Sequence, residues 1–215
     1  MEMKKSNIRK ASALVIVTFL GLFAGFVCLA RSDSYEPKEG DLVFQSLPVG
    51  DLVETIEGVS NSRYSHVGLI VSKNGTWYVR EAIGMVIGMV TETPLSFWIV
   101  RGRNASFDVY RLKDPYKGYV KKMVHESEKY LGRPYDYKYE LDDETIYCSE
   151  LIYKSFLSAS GAKLGKLVKL GDMNWKPYEK TIIKYEGGPV PLDRMMITPR
   201  HLSEADELEK VYSTY

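Results

Sequence analysis

Cysteine is almost missing from this chain: two residues in 215, Cys28 inside an N-terminal apolar run and Cys148 far beyond it. A domain left with one cysteine forms no internal disulfide, so a stapled framework is excluded. Cys-x-x-Cys and His-x-x-x-His spacings are absent too, and a zinc site built from His66, Glu81 and Cys148 has no spacing to support it. The chain has no basic stripe, zinc-finger pattern or arginine-rich arm, and its net charge is only +1. Nucleic acid is therefore not an expected partner. A phosphate-binding glycine loop, internal repeats and low-complexity tracts are likewise missing.

What is present fits one well-packed globular domain after a leader, with 45% hydrophobic and 27% charged residues. Lys4, Lys5, Arg9 and Lys10 precede residues 11–30, a run without charge. Such a run is either an export signal or a membrane anchor, being long for a signal core and just sufficient to span a bilayer. Small residues at Cys28 and Ala30 permit cleavage after Ala30, while Phe26 and Val27 argue against lipidation of Cys28. Residues 1–30 carry those four bases and one acid, Glu2, so the remainder of a +1 chain has a formal charge of −2. After a polar linker at residues 31–39, a domain at residues 40–215 is expected, exported to the periplasm or cell envelope, with membrane contact available only through residues 11–30.

Within that domain the lone thiol opens a helix-patterned stretch, Tyr147-Cys148-Ser149-Glu150-Leu151-Ile152-Tyr153. A helix start presents unpaired N–H groups and the positive end of the dipole, which stabilise a thiolate. Taken alone, Cys148 is as readily a buried core residue. A free thiol in an oxidising compartment, however, usually has a chemical reason.

Strands are expected at residues 40–45, 66–73, 76–82, 85–91 and 107–112, with a last one near Val211. Helices are expected at 51–57, at 116–131, from Cys148 onward, and after Pro199. A tyrosine-rich loop spans 132–146, and 161–188 reads as irregular. Grouped strands with helices before and after them indicate α+β. Two sequons, at Asn74 and Asn104, read as turn chemistry.

Asn74-Gly75 between two β-rich runs predicts a two-residue hairpin. Facing positions then sum to 149, with His66 opposite Ile83 and Gly68 opposite Glu81. His66 and Glu81 become diagonal neighbours on one face, while Arg80 and Ala82 fall on the other. A one-residue bulge would invert this. Cys148 shares a helical stripe with Leu151, Ile152, Ser155 and Phe156. If that stripe packs on the His66 face, the thiol lies beside the imidazole. Cys148 is then the nucleophile, His66 the general base and acid, Glu81 the orienter, and the N–H of Cys148 an oxyanion donor. Gln45 and Ser65 are lesser polar candidates, and His125 and His201 read as exposed.

Five segments together, Gly40-Asp41-Leu42-Val43-Phe44-Gln45, Tyr64-Ser65-His66-Val67-Gly68, Glu81-Ala82, Gly132-Arg133-Pro134-Tyr135-Asp136 and Tyr147-Cys148-Ser149-Glu150-Leu151, resemble the permuted NlpC-type papain-like amidases of the YiiX/YaeF branch. His66 precedes Cys148, the order the permuted group implies. The resemblance implies a circularly permuted papain-like α+β fold with an antiparallel sheet packed against the cysteine helix. It implies a Cys–His–polar site on Cys148, His66 and Glu81, and a site-lining tyrosine at Tyr135. The expected activity is cysteine-dependent amide hydrolysis through a thioester, with no cofactor and no metal. The substrate is a small peptide, a peptidoglycan fragment or a lipid-linked acyl amide. A lipid-directed acyltransferase and a non-catalytic envelope binding module remain the alternatives.

Overall fold

The computed structural model describes residues 35–84 and 87–215, of which Pro37–Tyr215 forms one compact unit. In chain order the elements are β1 (Leu42–Gln45), α1 (Asp51–Ser60), β2 (His66–Lys73), β3 (Thr76–Ile83), β4 (Met89–Pro94), α2 (Leu95–Arg101), β5 (Phe107–Leu112), α3 (Val120–Glu128), α4 (Cys148–Ser160), β6 (Val168–Lys169), α5 (Glu179–Glu186), β7 (Met195–Met196), α6 (Pro199–Ser203) and β8 (Leu208–Ser213). Six strands make an antiparallel sheet in the order β4-β3-β2-β1-β5-β8, and β6 and β7 form a separate pair. The leader, Cys28 and the two fates open to residues 11–30 lie outside the described residues. Among the described residues no helix is long and apolar enough to cross a membrane.

The β2–β3 hairpin turns at Asn74 and Gly75, whose φ angles of 50° and 77° both lie in the left-handed region. That is the geometry a two-residue turn needs to match strand twist. The register runs from Lys73↔Thr76 to Leu69↔Arg80, so facing positions sum to 149 as expected.

The two sheet faces are covered differently. Leu42, Phe44, Val67, Leu69, Ala82 and Val90 form one face, and α4 buries Leu151, Ile152 and Phe156 against it. Met123 of α3 joins the same core. Arg80, fully buried on this face, is satisfied by α3 through the Val124 carbonyl at 2.6 Å and by Ser127, and across the sheet by Glu92 at 2.8 Å. The opposite face carries His66 and Glu81 and is covered by Trp98 of α2, whose ring stands 6.3 Å from those of both His66 and Phe107. The arrangement considered from sequence, with the cysteine helix on the His66 face, is thus corrected: α4 packs on the reverse, against Phe44, Val67, Leu69 and Ala82.

Several boundaries differ from the sequence reading. The strand expected at 85–91 is β4, beginning at Met89, and Met85 and Val86 lie outside the described residues. The helix expected at 116–131 is a tight 3-10 turn at Tyr116–Tyr119 followed by α3, since Gly118 in its first turn disfavours the α-form. The stretch 161–188 is not wholly irregular: it holds β6 and α5. Ile182 is the one buried residue of α5, and it packs with Val59, Leu170 and Met196. One buried position in eight is too little periodicity to read as a helix.

Candidate active site

Each of the three residues singled out in the sequence stands near the end of its element. His66 is the first residue of β2, Cys148 the first of α4, and Glu81 lies two residues before the end of β3. All are buried, Cys148 and His66 at 1% and 2% exposure and Glu81 at 0%. His66 and Glu81 meet directly, Nε2 to Oε2 at 2.5 Å. With Nε2 taken, Nδ1 is the ring nitrogen left for the sulfur, and Cys148 is the neighbour that, with Glu81, raises the imidazole pKa.

The start of α4 is clamped in place. Tyr147 precedes it in extended conformation, and its N–H donates to Glu150 Oε2 at 3.1 Å. The Tyr147 hydroxyl accepts from the Ile197 N–H at 3.1 Å, while Ser149 Oγ donates to the Ile197 carbonyl at 2.8 Å. Gly161, in left-handed conformation, ends the helix. The N–H groups of the first turn have no partners within the helix itself, and that of Cys148 lies beside the sulfur.

Glu81 accepts five hydrogen bonds: from His66, from Trp98 Nε1 at 3.0 Å, from Thr93 Oγ1 at 2.6 Å, and from both terminal nitrogens of Arg101 at 2.9 and 2.5 Å. Burial alone would push its pKa up; His66 and then Arg101 outweigh burial and hold the carboxyl at about 2, against an ordinary 4.5. For His66, burial pulls the pKa down, but Cys148 and Glu81 outweigh it and leave the imidazole above its ordinary 6.5. The protonated ring is thereby favoured between a sulfur and a fixed carboxylate.

Trp98, Arg101 and Thr93 are missing from the sequence reading. The only cue is Trp98 and Arg101 at i, i+3 on a seven-residue helix after Pro94, and so short an element carries almost no pattern. Tyr135 is placed beside His66, Ile83 and Gly84, where it lines a small cavity. Its hydroxyl lies 3.0 Å from that of Tyr139, and Tyr139, with Tyr137 and Tyr185, lines the larger cavity whose wall includes Cys148. Burial first, then neighbouring negative charge including that of Cys148, pushes both phenols upward, so both stay protonated.

Of the lesser candidates, Gln45 pairs with His66 across β1 and β2, and its buried amide has no partner among the described residues. Ser65 is structural, its Oγ accepting from the Leu47 N–H at 2.8 Å. His125 is exposed as expected, but His201 is partly buried, with Nδ1 at 2.7 Å from Thr198 Oγ1.

The family model of permuted papain-like amidase enzymes, YaeF/YiiX, C92 family, matches residues 36–212. The chain belongs to that family. It is a cysteine amidase by that membership, with a permuted papain-like fold. It is similar to the protein YiiX of Escherichia coli (strain K12), 29% identical over 181 residues, covering 83% of this chain and 87% of YiiX. A crystal structure described as metalloprotein yiiX from Escherichia coli O157:H7 superposes with a TM-score of 0.77 at 29% identity, covering 84% of this chain and 99% of that one.

The donors around Cys148 do not fit a metal ion in this chain. Both oxygens of Glu81 are already engaged by Arg101, Trp98, Thr93 and His66, and a metal would have to displace the guanidinium. Among the described residues no group of three or more His, Cys, Asp or Glu side chains is placed to hold one.

Proposed function

We propose that this amidase works through a thioester on Cys148 at the cell envelope, with His66 as the proton carrier and Glu81 as the residue that orients it. One observation carries the reading: His66 is bonded to a buried carboxylate whose every oxygen is engaged, and the only free thiol among the described residues is close enough to raise the imidazole pKa. The envelope assignment is supported by the uncharged run at residues 11–30 behind four basic residues.

In acylation, Sγ bonds to the amide carbonyl carbon and its proton passes to His66 Nδ1. The carbonyl oxygen takes the negative charge and is met by the Cys148 N–H at the helix start. When the C–N bond breaks, His66 returns the proton to the leaving amine. Water then loses a proton to His66 and attacks the thioester carbonyl, and the C–S bond breaks to release a carboxylic acid and the thiol. Glu81 holds the imidazole with Nε2 inward throughout.

The test is intact-protein mass with an activated amide substrate. Wild-type protein is expected to gain one acyl mass, lost on hydroxylamine treatment, and Cys148→Ala to gain none and to lose at least about a thousandfold in turnover. Wild-type turnover by Cys148→Ala would sink the reading. Label passing to an added amine in preference to water would make it an acyltransferase.

A further inference from the structure

We infer that the acyl group delivered to Cys148 carries, next to its carbonyl, a short uncharged aliphatic segment seated in the cavity beside the sulfur. This deepens the thioester reading above and rests on it. The cavity is about 70 Å³, the liquid volume of about two water molecules at roughly 30 Å³ each and so room for a short aliphatic segment only. Cys148 forms part of its wall, and Ile56, Val59, Leu170, Ile182 and Met196 form much of the rest.

Most polar side chains of the wall are already spent inside the protein. Thr55 Oγ1 donates to the Asp51 carbonyl at 2.7 Å, and Ser149 Oγ to the Ile197 carbonyl at 2.8 Å. Thr198 Oγ1 pairs with His201 Nδ1 at 2.7 Å, Tyr139 with Tyr135 at 3.0 Å, and Glu186 with Arg194. Lys138 stands exposed, and Tyr137 and Tyr185 are partly exposed and stack on each other at 5.9 Å. Apart from those three side chains, a charged or hydrogen-bonding group entering this space would lose its water and meet polar groups that are already paired, whereas an aliphatic group gains by burial. The same chemistry is offered by a fatty acyl amide or by a peptide whose residue at the scissile carbonyl is aliphatic.

The experiment compares N-acyl 4-nitroanilides on the full chain in detergent. The acyl groups are acetyl, butyryl and succinyl, with N-acetyl-leucyl and N-acetyl-aspartyl as the peptide arm. Nitroaniline release gives kcat/KM, and intact mass gives the thioester at Cys148. Butyryl is expected to exceed acetyl by about fifteenfold, at about fourfold per methylene, and succinyl to fall to acetyl's level or below. Leucyl over aspartyl with no butyryl preference assigns the aliphatic group to a peptide; the butyryl preference assigns it to an acyl chain. Filling the cavity with Ile182→Trp, or with Met196→Phe should the first variant not fold, is expected to abolish the preference, bringing butyryl kcat/KM down to that of acetyl measured on the same variant. Equal rates for acetyl, butyryl and succinyl together with equal rates for leucyl and aspartyl, or a preference that survives both variants, overturns the inference and leaves the thioester reading standing. No thioester from any substrate overturns both.

Discussion

Arg101 grips Glu81 with both terminal nitrogens, at 2.9 Å to Oε1 and 2.5 Å to Oε2, from the last turn of the helix that covers the His66 face. The arrangement makes Glu81 a carboxylate shared between two cations, a guanidinium that never loses its charge and an imidazole that does.

Removing the guanidinium should therefore be felt at His66. In Arg101→Leu, Glu81 keeps one cation, the imidazolium is held more firmly, and the alkaline limb of the pH profile of kcat/KM rises by about one pH unit. Stability should fall by about 3 kcal/mol, the lower end of the range for a broken buried pair because the Arg101 side chain is 26% exposed. A purely structural role for Arg101 would lower the melting temperature without moving the limb, and this is the outcome that counts against it. Arg101→Lys should recover charge but not the two-point grip.

Glu81 itself gives a prediction in acid. Its folded pKa of about 2 lies below the ordinary 4.5, so the stability it contributes is fully present above 4.5 and is lost as pH falls through about 2. In Glu81→Gln the dependence of melting temperature on pH between 4.5 and 2 should flatten, and turnover should drop by about a hundredfold or more as the imidazole loses its orienter. Thermal melts of both proteins at pH 2.5, 3.5 and 5 check it; parallel curves would show that Glu81 is not the group titrating there. For His66 the sign is opposite: its raised pKa stabilises the fold fully below 6.5, and that contribution is lost as pH rises through the folded value.

The His66–Glu81 contact was legible from residues alone because Asn74-Gly75 fixes the hairpin register, and a fixed register fixes every face. The start of α4 at Cys148 and the strand around Val211 were legible for a similar reason, a local pattern bounded by recognisable ends. What sequence could not convey is which sheet face α4 chooses, since Val67, Leu69 and Ala82 on one side and His66, Gly68 and Ile70 on the other are all buried. A strand covered on both faces has no alternation to betray the helix. Trp98, Arg101 and Thr93 escaped because they converge on Glu81 from β4 and a short helix, and convergence in space leaves no spacing in the chain.

A second pH effect should come from Glu150, two residues into the cysteine helix. Burial outweighs the neighbouring Lys154 and the Tyr147 N–H and raises its pKa to about 8. A carboxyl raised in the folded state stabilises most below its ordinary 4.5, and that stability is lost as pH climbs through about 8. Glu150→Gln, which keeps an oxygen for the Tyr147 N–H, should therefore resist alkaline loss: the wild type should lose melting temperature between pH 6 and 9 more steeply than the variant. Equal slopes would mean that Glu150 is ionised throughout that range.

Gly68 supplies the strictest test of the sheet geometry behind the site. It lies two residues after His66, and a Cβ built on it would stand 2.2 Å from Val79 Cγ1, 3.3 Å from the Arg80 carbonyl oxygen and 3.5 Å from Glu81 Cβ. The first of these distances is impossible, so β2 and β3 must part or Val79 must turn, and both movements disturb the strand that carries Glu81. Gly68→Ala should cost about 1–3 kcal/mol, the range for overpacking a filled core. Its effect on turnover should exceed what lost stability explains at a temperature where the variant is fully folded, because the His66–Glu81 contact spans the same two strands. Gly68→Ala combined with Val79→Ala relieves the collision and should restore turnover more than it restores stability, since the second change leaves a cavity of its own. Turnover by Gly68→Ala equal to wild type in the folded state would show that the strands can separate here without moving His66 from Glu81.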